Sequence, residues 1–240
     1  MANVLKEQIP ELLQLIKGRS NAEALSLLAE AFPGQVTFSS SFSFEDQLIS
    51  HEILTHNIDI SIFTLDTGRM FPETYSVWSR TNEKYNTHII PFYPNTEDIQ
   101  QFVQERGPNS FYESVENRKT CCHIRKVEPL SRALKGKAIW VTGLRAEHSN
   151  SRQGLEIMEW DEINQVIKFH PILHWTTEEV KAFIDKESVP YNPLHDKGFL
   201  SIGCAPCTRA IRPGEDFRAG RWWWEDQSKK ECGLHVTVVS

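Results

Sequence analysis

The sequence contains no apolar run long enough to cross a bilayer, and its start, MANVLKEQIPELL, has no signal-peptide hydrophobic region. A cytoplasmic protein with no membrane partner is therefore expected. It also has no internal repeat, no low-complexity tract and no obvious linker, so one domain over 1–240 is favoured over an array. No large charge excess is present: the formal net charge of -6 argues against a nucleic-acid or anionic-membrane binder. Cysteine is scarce, with five in 240 residues, and in a reducing compartment this few points to metal or catalysis rather than disulfides. A homo-oligomer is left open. What is present, 40% hydrophobic and 24% charged residues, describes a globular chain long enough for one well-buried α/β domain.

The basic residues are clustered. Arg118, Lys119, Arg125 and Lys126 flank Cys121-Cys122, while Arg209, Arg212, Arg218 and Arg221 flank Cys204 and Cys207. A single surface arginine needs no explanation, but two basic clusters beside two cysteine groups point to a small anionic ligand.

Hydrophobic periodicity predicts an amphipathic helix over 5–17. Ser20-Asn21-Ala22-Glu23 reads as a capping box opening a second helix that ends near residue 31. Pro33-Gly34 stops it. A strand over 35–38 then leads into Ser39-Ser40-Ser41-Phe42-Ser43 and a helix over 44–56. A strand running through hydroxyl-rich residues into a helix N-terminus suits an anion, because free N–H groups and the positive dipole end meet there. The next strand, 58–65, ends in Asp66-Thr67-Gly68-Arg69, with Pro72 at the start of a helix over 73–85. A strand over 87–92 and a helix over 96–106 follow. This alternation predicts a doubly wound, mostly parallel α/β sheet with ligand-binding turns at the carboxyl ends of its strands. Further on, a helix over 121–134, a strand over 138–143, a polar loop over 144–154, a hairpin of 156–160 with 166–170 and a capped helix from Thr176 are expected. His170 and His174 are separated by Pro171, which opposes a helical metal pair.

Cys121-Cys122 and the Cys204-x-x-Cys207 pair could hold zinc or an iron–sulfur cluster. Adjacent cysteines point in different directions, so both are hard to place on one small ion, whereas a [4Fe-4S] cube offers separate corners. Lys126, one turn after Cys122, would sit near such a cluster. A cluster ranks first, zinc second and incidental thiols third. The remaining Cys232 lies in Lys229-Lys230-Glu231-Cys232-Gly233-Leu234-His235, where cations raise the thiolate fraction of a nucleophile.

The combined pattern CC…CxxC…RxxGRWWWE…KECGLH, together with SSSFSFED at 39–46, LDTGRMFPET at 65–74, KTCCHIRKVEPL at 119–130 and GLR at 143–145, resembles the assimilatory adenylyl-sulfate (APS) reductases. These are the thioredoxin-dependent, cluster-bearing branch of the APS/PAPS reductase family. The resemblance covers roughly residues 35–235. It implies a fold similar to the adenine-nucleotide α-hydrolases and a [4Fe-4S] cluster on Cys121, Cys122, Cys204 and Cys207. It implies Cys232 as nucleophile, APS as substrate and thioredoxin as partner. Ser39, Ser40, Ser41, Ser43, Asp66, Thr67 and Gly68 would bind the nucleotide. Lys126, Arg145, Arg218, Arg221 and His235 would complete the substrate contacts. The chain would then comprise N-terminal helices (1–34), a nucleotide and cluster core (35–224) and a catalytic tail (225–240). It departs from relatives at Ser43-Phe44, where they often carry Gly-Ala. Three rivals remain: a PAPS reductase, which generally lacks the four cysteines; an ATP-pyrophosphatase-type enzyme, which would want a glycine-rich SGGxDS loop; and a non-enzymatic iron–sulfur redox sensor, which would not need Cys232.

Overall fold

The computed structural model of the chain describes residues 2–148 and 154–225. It divides into two compact units. One comprises Met1–Thr64, Glu73–Ile90 and Leu134–Asn192, the other Leu65–Pro72, Pro91–Ala133 and Pro193–Ser240.

The first unit opens with α1 (Ala2–Glu7) and α2 (Ile9–Ile16), where one helix was expected. Pro10 is the reason. It lacks an N–H and disfavours a continuous helix through the residue before it, so the chain restarts with proline in the first turn. Then α3 (Asn21–Ala31) begins on the expected capping box: the Glu23 N–H donates to Ser20 Oγ at 3.3 Å and the Ser20 N–H to Glu23 Oε2 at 2.8 Å. Next come β1 (Val36–Ser39), α4 (Phe44–Thr55), β2 (Ser61–Leu65) and α5 (Pro72–Tyr85), which starts on Pro72 as predicted. In chain order the remaining elements are β3 (Ile90–Phe92), α6 (Thr96–Arg106), α7 (Val115–Cys122), α8 (Glu128–Leu134), β4 (Ile139–Val141), β5 (Met158–Asp161), β6 (Val166–Phe169) and α9 (Thr177–Lys186).

The sheet has the order β3-β2-β1-β4-β6-β5. β1 is parallel to both β2 and β4, β4 is parallel to β6, and β5 closes the edge as the antiparallel arm of the expected hairpin. This is the doubly wound α/β class. Ile139, Trp140 and Val141 of β4 are buried without alternation, as strands covered on both faces should be. The main apolar cluster of this unit has Leu25, Leu28, Phe38, Leu48, Ile139 and Ile167 fully enclosed.

In the second unit, α7 starts at Val115 rather than 121, capped by Ser114, whose Oγ accepts from the Asn117 N–H at 3.1 Å. A π-helical turn, His123–Val127, separates it from α8. Pro129 has no N–H for the carbonyl of Arg125, so the helical ladder is already interrupted, and the wider turn lies just before that gap. A smaller apolar cluster holds this unit together: Phe102, Phe111, Cys121, Cys207 and Trp222. Among the described residues, no helix is long and apolar enough to cross a membrane.

Candidate active site

In the first unit the serine-rich turn follows β1. Ser43 caps α4: its Oγ accepts the Asp46 N–H at 3.3 Å. The adjacent Phe44 ring packs on Tyr191, with centroids 5.2 Å apart. Phe42 sits at φ 62, a left-handed conformation that is strained for a bulky residue. It is fully buried, its ring stacks on Trp78 at 5.7 Å, and its N–H donates to Ser40 Oγ at 3.2 Å.

The N–H and hydroxyl of Ser41, expected to face a ligand, both donate to Asp46 Oδ2 at 2.6 Å. Asp46 was not singled out in the sequence, although Ser43-x-x-Asp46 has the spacing that could have flagged it. Burial is the largest influence on its acidity and pushes its pKa up to about 6 against the Ser41 hydrogen bonds.

Arg145, expected at the substrate, is enclosed in the first unit. Its guanidinium donates to Glu45 Oε1 at 3.0 Å, Glu147 Oε2 at 2.5 Å, the Trp175 carbonyl at 3.0 Å and Thr177 Oγ1 at 3.0 Å. Only about 1% of its side chain is exposed, so this geometry makes it a brace for the segment after β4. His170 is also enclosed, with Nδ1 at 2.7 Å from Thr142 Oγ1, while His174 is exposed.

The second unit gathers the cysteines. Cys121 and Cys122 end α7, and Cys204 and Cys207 bracket a single turn of 3-10 helix, Ala205–Cys207. All four line one cradle of about 310 Å³, open to solvent, together with the cations Arg69, Arg118, Arg125 and Lys126. The Asp66–Arg69 turn belongs to this cradle. Gly68, at φ 68, donates to Asp66 Oδ1 at 2.8 Å; Cys204 Sγ is 3.3 Å from Thr67 Oγ1; and Arg125 Nη1 donates to the Thr67 carbonyl at 2.5 Å. Thr67 thus stands beside the cysteines.

Burial pushes the Cys121 thiol up, and burial reinforced by Cys204 pushes Cys207 up to about 12, with Lys126 and Arg221 pulling the other way. Such buried thiols ionise when a metal supplies positive charge. Arg125 and Arg221 are each about 8% exposed, and among the described residues the Nε of each, like Trp224 Nε1, is buried without an acceptor. These orphaned donors suit a sulfur-rich anionic group. Among the described residues, no three His, Cys, Asp or Glu side chains are gathered closely enough to hold one metal ion.

Arg218 and Arg221 stack against the Trp222 ring, with Cζ to centroid distances of 6.0 and 4.8 Å. The Arg221 guanidinium passes close over Gly203, where a Cβ would stand 2.3 Å from Nη2 and push the guanidinium aside. Arg118 lies on the same ring at 4.7 Å and grips Glu225 with two bonds, Nε to Oε1 at 3.0 Å and Nη2 to Oε2 at 2.8 Å. The tryptophans divide accordingly: Trp222 is buried at φ 42, and Trp223 is about 41% exposed. The expected nucleophile Cys232 and His235 lie outside the described residues.

The fold defines the chain first as a doubly wound α/β protein. It is similar in fold to yeast FAD synthetase solved with FAD (TM-score 0.51, 15% identity, 87% of this chain and 75% of that one). The sequence profile of the phosphoadenosine phosphosulfate reductase domain matches residues 35–210, and the chain belongs to that family. Its relatives include proteins named adenosine 5'-phosphosulfate reductase. The one from Burkholderia cepacia is 51% identical over 86% of this chain and 82% of its own length, and the one from Agrobacterium fabrum is 45% identical over 92% and 85%. Among solved structures, a phosphoadenylyl-sulfate (PAPS) reductase from Candida auris, in complex with phosphate, matches with a TM-score of 0.72 at 28% identity, covering 86% of this chain and 97% of that one.

Proposed function

We propose that this protein reduces APS to sulfite and AMP in assimilatory sulfate reduction, in the cytoplasm, with thioredoxin as electron donor. The observation that carries this reading is the 51% identity to a relative named as an APS reductase, extending over most of both chains. The Cys232 thiolate attacks the sulfur of APS, the bond from sulfur to the phosphate oxygen breaks, and AMP leaves. Cys232 then carries an S-sulfonate. A thioredoxin thiolate attacks the Cys232 sulfur and expels sulfite, and the second thioredoxin thiol resolves the mixed disulfide, so the dithiol supplies both electrons. Attacking thiolate and target oxygens are all negative, which is why cations must stand at the reacting group. Lys126, Arg218 and Arg221 are assigned that role, arginine giving the two-pronged contact that oxyanions accept. Ser39, Ser40, Ser43 and the Asp66–Gly68 turn are assigned to the nucleotide.

Cys121, Cys122, Cys204 and Cys207 would hold a [4Fe-4S] cluster. Four thiols lining one cradle with Arg69, Arg118, Arg125 and Lys126, where the Arg125 Nε has no acceptor among the described residues, support that assignment. When bound, the cluster would supply structural cross-linking and a fixed negative charge that orders the surrounding cations.

The test is intact-protein mass after mixing anaerobically purified protein with APS, and separately with PAPS, without thioredoxin. One added SO3 with APS is expected, absent in Cys232→Ser and removed by reduced thioredoxin. Equal adducts from both nucleotides would make the enzyme a dual reductase, and no adduct from either would overturn the reading.

A further inference from the structure

The Ser41 donors face inward, and what they hold is a carboxylate. Asp46 lies on the first turn of α4, about 6% exposed, with Oδ2 accepting both the N–H and the O–H of Ser41 at 2.6 Å. Its other oxygen is walled in by the end of β4: a Cβ on Gly143 would lie 2.3 Å from Oδ1. The carboxylate is thus clamped between a strand end and the turn. The turn itself is under strain, since Phe42 holds a left-handed backbone with its ring buried. A strained loop persists only where neighbours over-determine it. The other serines act as acceptors within the turn's surroundings. Ser39 Oγ accepts from Trp140 Nε1 at 2.8 Å, Ser40 Oγ from the Phe42 N–H, and Ser43 Oγ from the Asp46 N–H. Their hydroxyl protons are not what make those contacts, so Ser39, Ser40 and Ser43 are the serines suited to donate to a ligand.

We propose that Asp46 is a positioning residue of the nucleotide anion site: ionised, it fastens Ser41 and so holds the strained turn in the conformation that presents its neighbours' hydroxyls to the ligand. The proposal rests on the function proposed above for the ligand's identity. It deepens that reading by making a buried acid a support for anion binding, which charge repulsion alone would not suggest.

The groups facing Asp46 fix the sign of its pH dependence. The turn contributes only serines, and the end of β4 contributes a glycine. The charged neighbour is Glu45 on the same helix, itself paired with Arg145, which also holds Glu147. With the Asp46 pKa at about 6, the carboxylate is ionised at neutral pH and protonated at pH 5. The Ser41 bonds pull the Asp46 pKa down against the larger effect of burial, so the fastened turn and the ionised carboxylate favour each other even though burying that charge costs the fold as a whole. Protonation weakens both Ser41 bonds, and this local support for the turn is lost as pH falls through about 6. Asp46→Asn mimics the protonated state at every pH.

The test is AMP binding by titration calorimetry in cluster-replete wild type and Asp46→Asn at pH 7.5 and 5.0. The ratio of their dissociation constants cancels the ionisation of AMP's own phosphate. The expected ratio is about tenfold at pH 7.5, from loss of charge-assisted hydrogen bonding, falling to about one at pH 5.0. With APS as substrate the same variant should show the loss in KM, with kcat kept. Ser41→Ala, which removes one of the two donors and leaves the carboxylate, should fall between wild type and Asp46→Asn at pH 7.5. A ratio of one at pH 7.5, or an equal ratio at both pH values, overturns the proposal. A wild type that forms the APS adduct yet shows either result would leave the function standing and remove only Asp46. A wild type that binds no AMP at either pH overturns both.

Discussion

At the scale of single residues, the two units use buried charge differently. Asp46 has its pKa raised above the ordinary 3.8, so its contribution to stability is complete below about pH 4 and is lost as pH rises through about 6. The ionised form is therefore held at some cost to the fold, as expected of a group kept for what it positions. Arg118 and Glu225 are the opposite case, a two-bonded pair with side chains 1% and 4% exposed and a tryptophan ring against the guanidinium. Glu225→Gln keeps the shape but leaves a buried cation without its counter-charge. It should destabilise the protein by about 3–5 kcal/mol, read as a shift of the urea unfolding midpoint. The double substitution Arg118→Met with Glu225→Leu should recover most of that loss, because no charge is then left unpaired. An unchanged midpoint in the single variant would show that the pair contributes nothing. The sequence displayed Arg118 only as one of several clustered cations. Its partner lies 107 residues away, and the partner of Arg145, Glu45, lies 100 away. Local pattern shows which side chains are cationic, whereas burial and distant acids decide whether a cation turns inward or toward a ligand.

At the scale of elements, what the sequence predicted well was whatever local chemistry decides. The capping boxes at Ser20 and Thr176, the start of α5 on Pro72 and the hairpin β5–β6 all appear where expected. What it concealed was the π turn. One helix over 121–134 was expected, and the structure has α7, the His123–Val127 turn and α8. A π turn is an α-helix carrying one extra residue, and periodicity over so short a stretch cannot register a single insertion. The extra residue rotates everything after it by about 100° about the helix axis, which sets where Arg125 and Lys126 stand relative to Cys121 and Cys122. Deleting His123 should remove the extra residue and undo that setting, with the interruption at Pro129 left in place. The expected outcome is a chain with wild-type far-ultraviolet dichroism and a large loss of bound iron after anaerobic purification. Full iron content in the deletion would show that the cysteine cradle does not depend on the turn.

At the scale of the whole molecule, the two units have different sources of stability. The first is built on an extensive apolar core between sheet and helices, with Leu25, Leu28, Phe38 and Ile139 essentially inaccessible. The second has the five-membered cluster of Phe102, Phe111, Cys121, Cys207 and Trp222, and two of those five are the proposed metal ligands. A small core usually needs a covalent or metal staple, and the thiols that would supply it are pushed toward their neutral forms by burial. If a metal cluster binds there, its binding free energy becomes folding free energy for the unit that holds it. Chelation should therefore act locally. Hydrogen exchange followed by mass spectrometry, on protein before and after anaerobic iron removal, should show faster exchange over 115–133 and 201–225. The strands at 36–39, 139–141 and 166–169 should keep their protection, because their amides are protected by a core the metal does not touch. Uniform acceleration across both sets would mean that the units unfold as one and that the staple serves the entire chain. No change in either would mean that the four cysteines, though gathered in one cradle, hold nothing on which the second unit's stability depends.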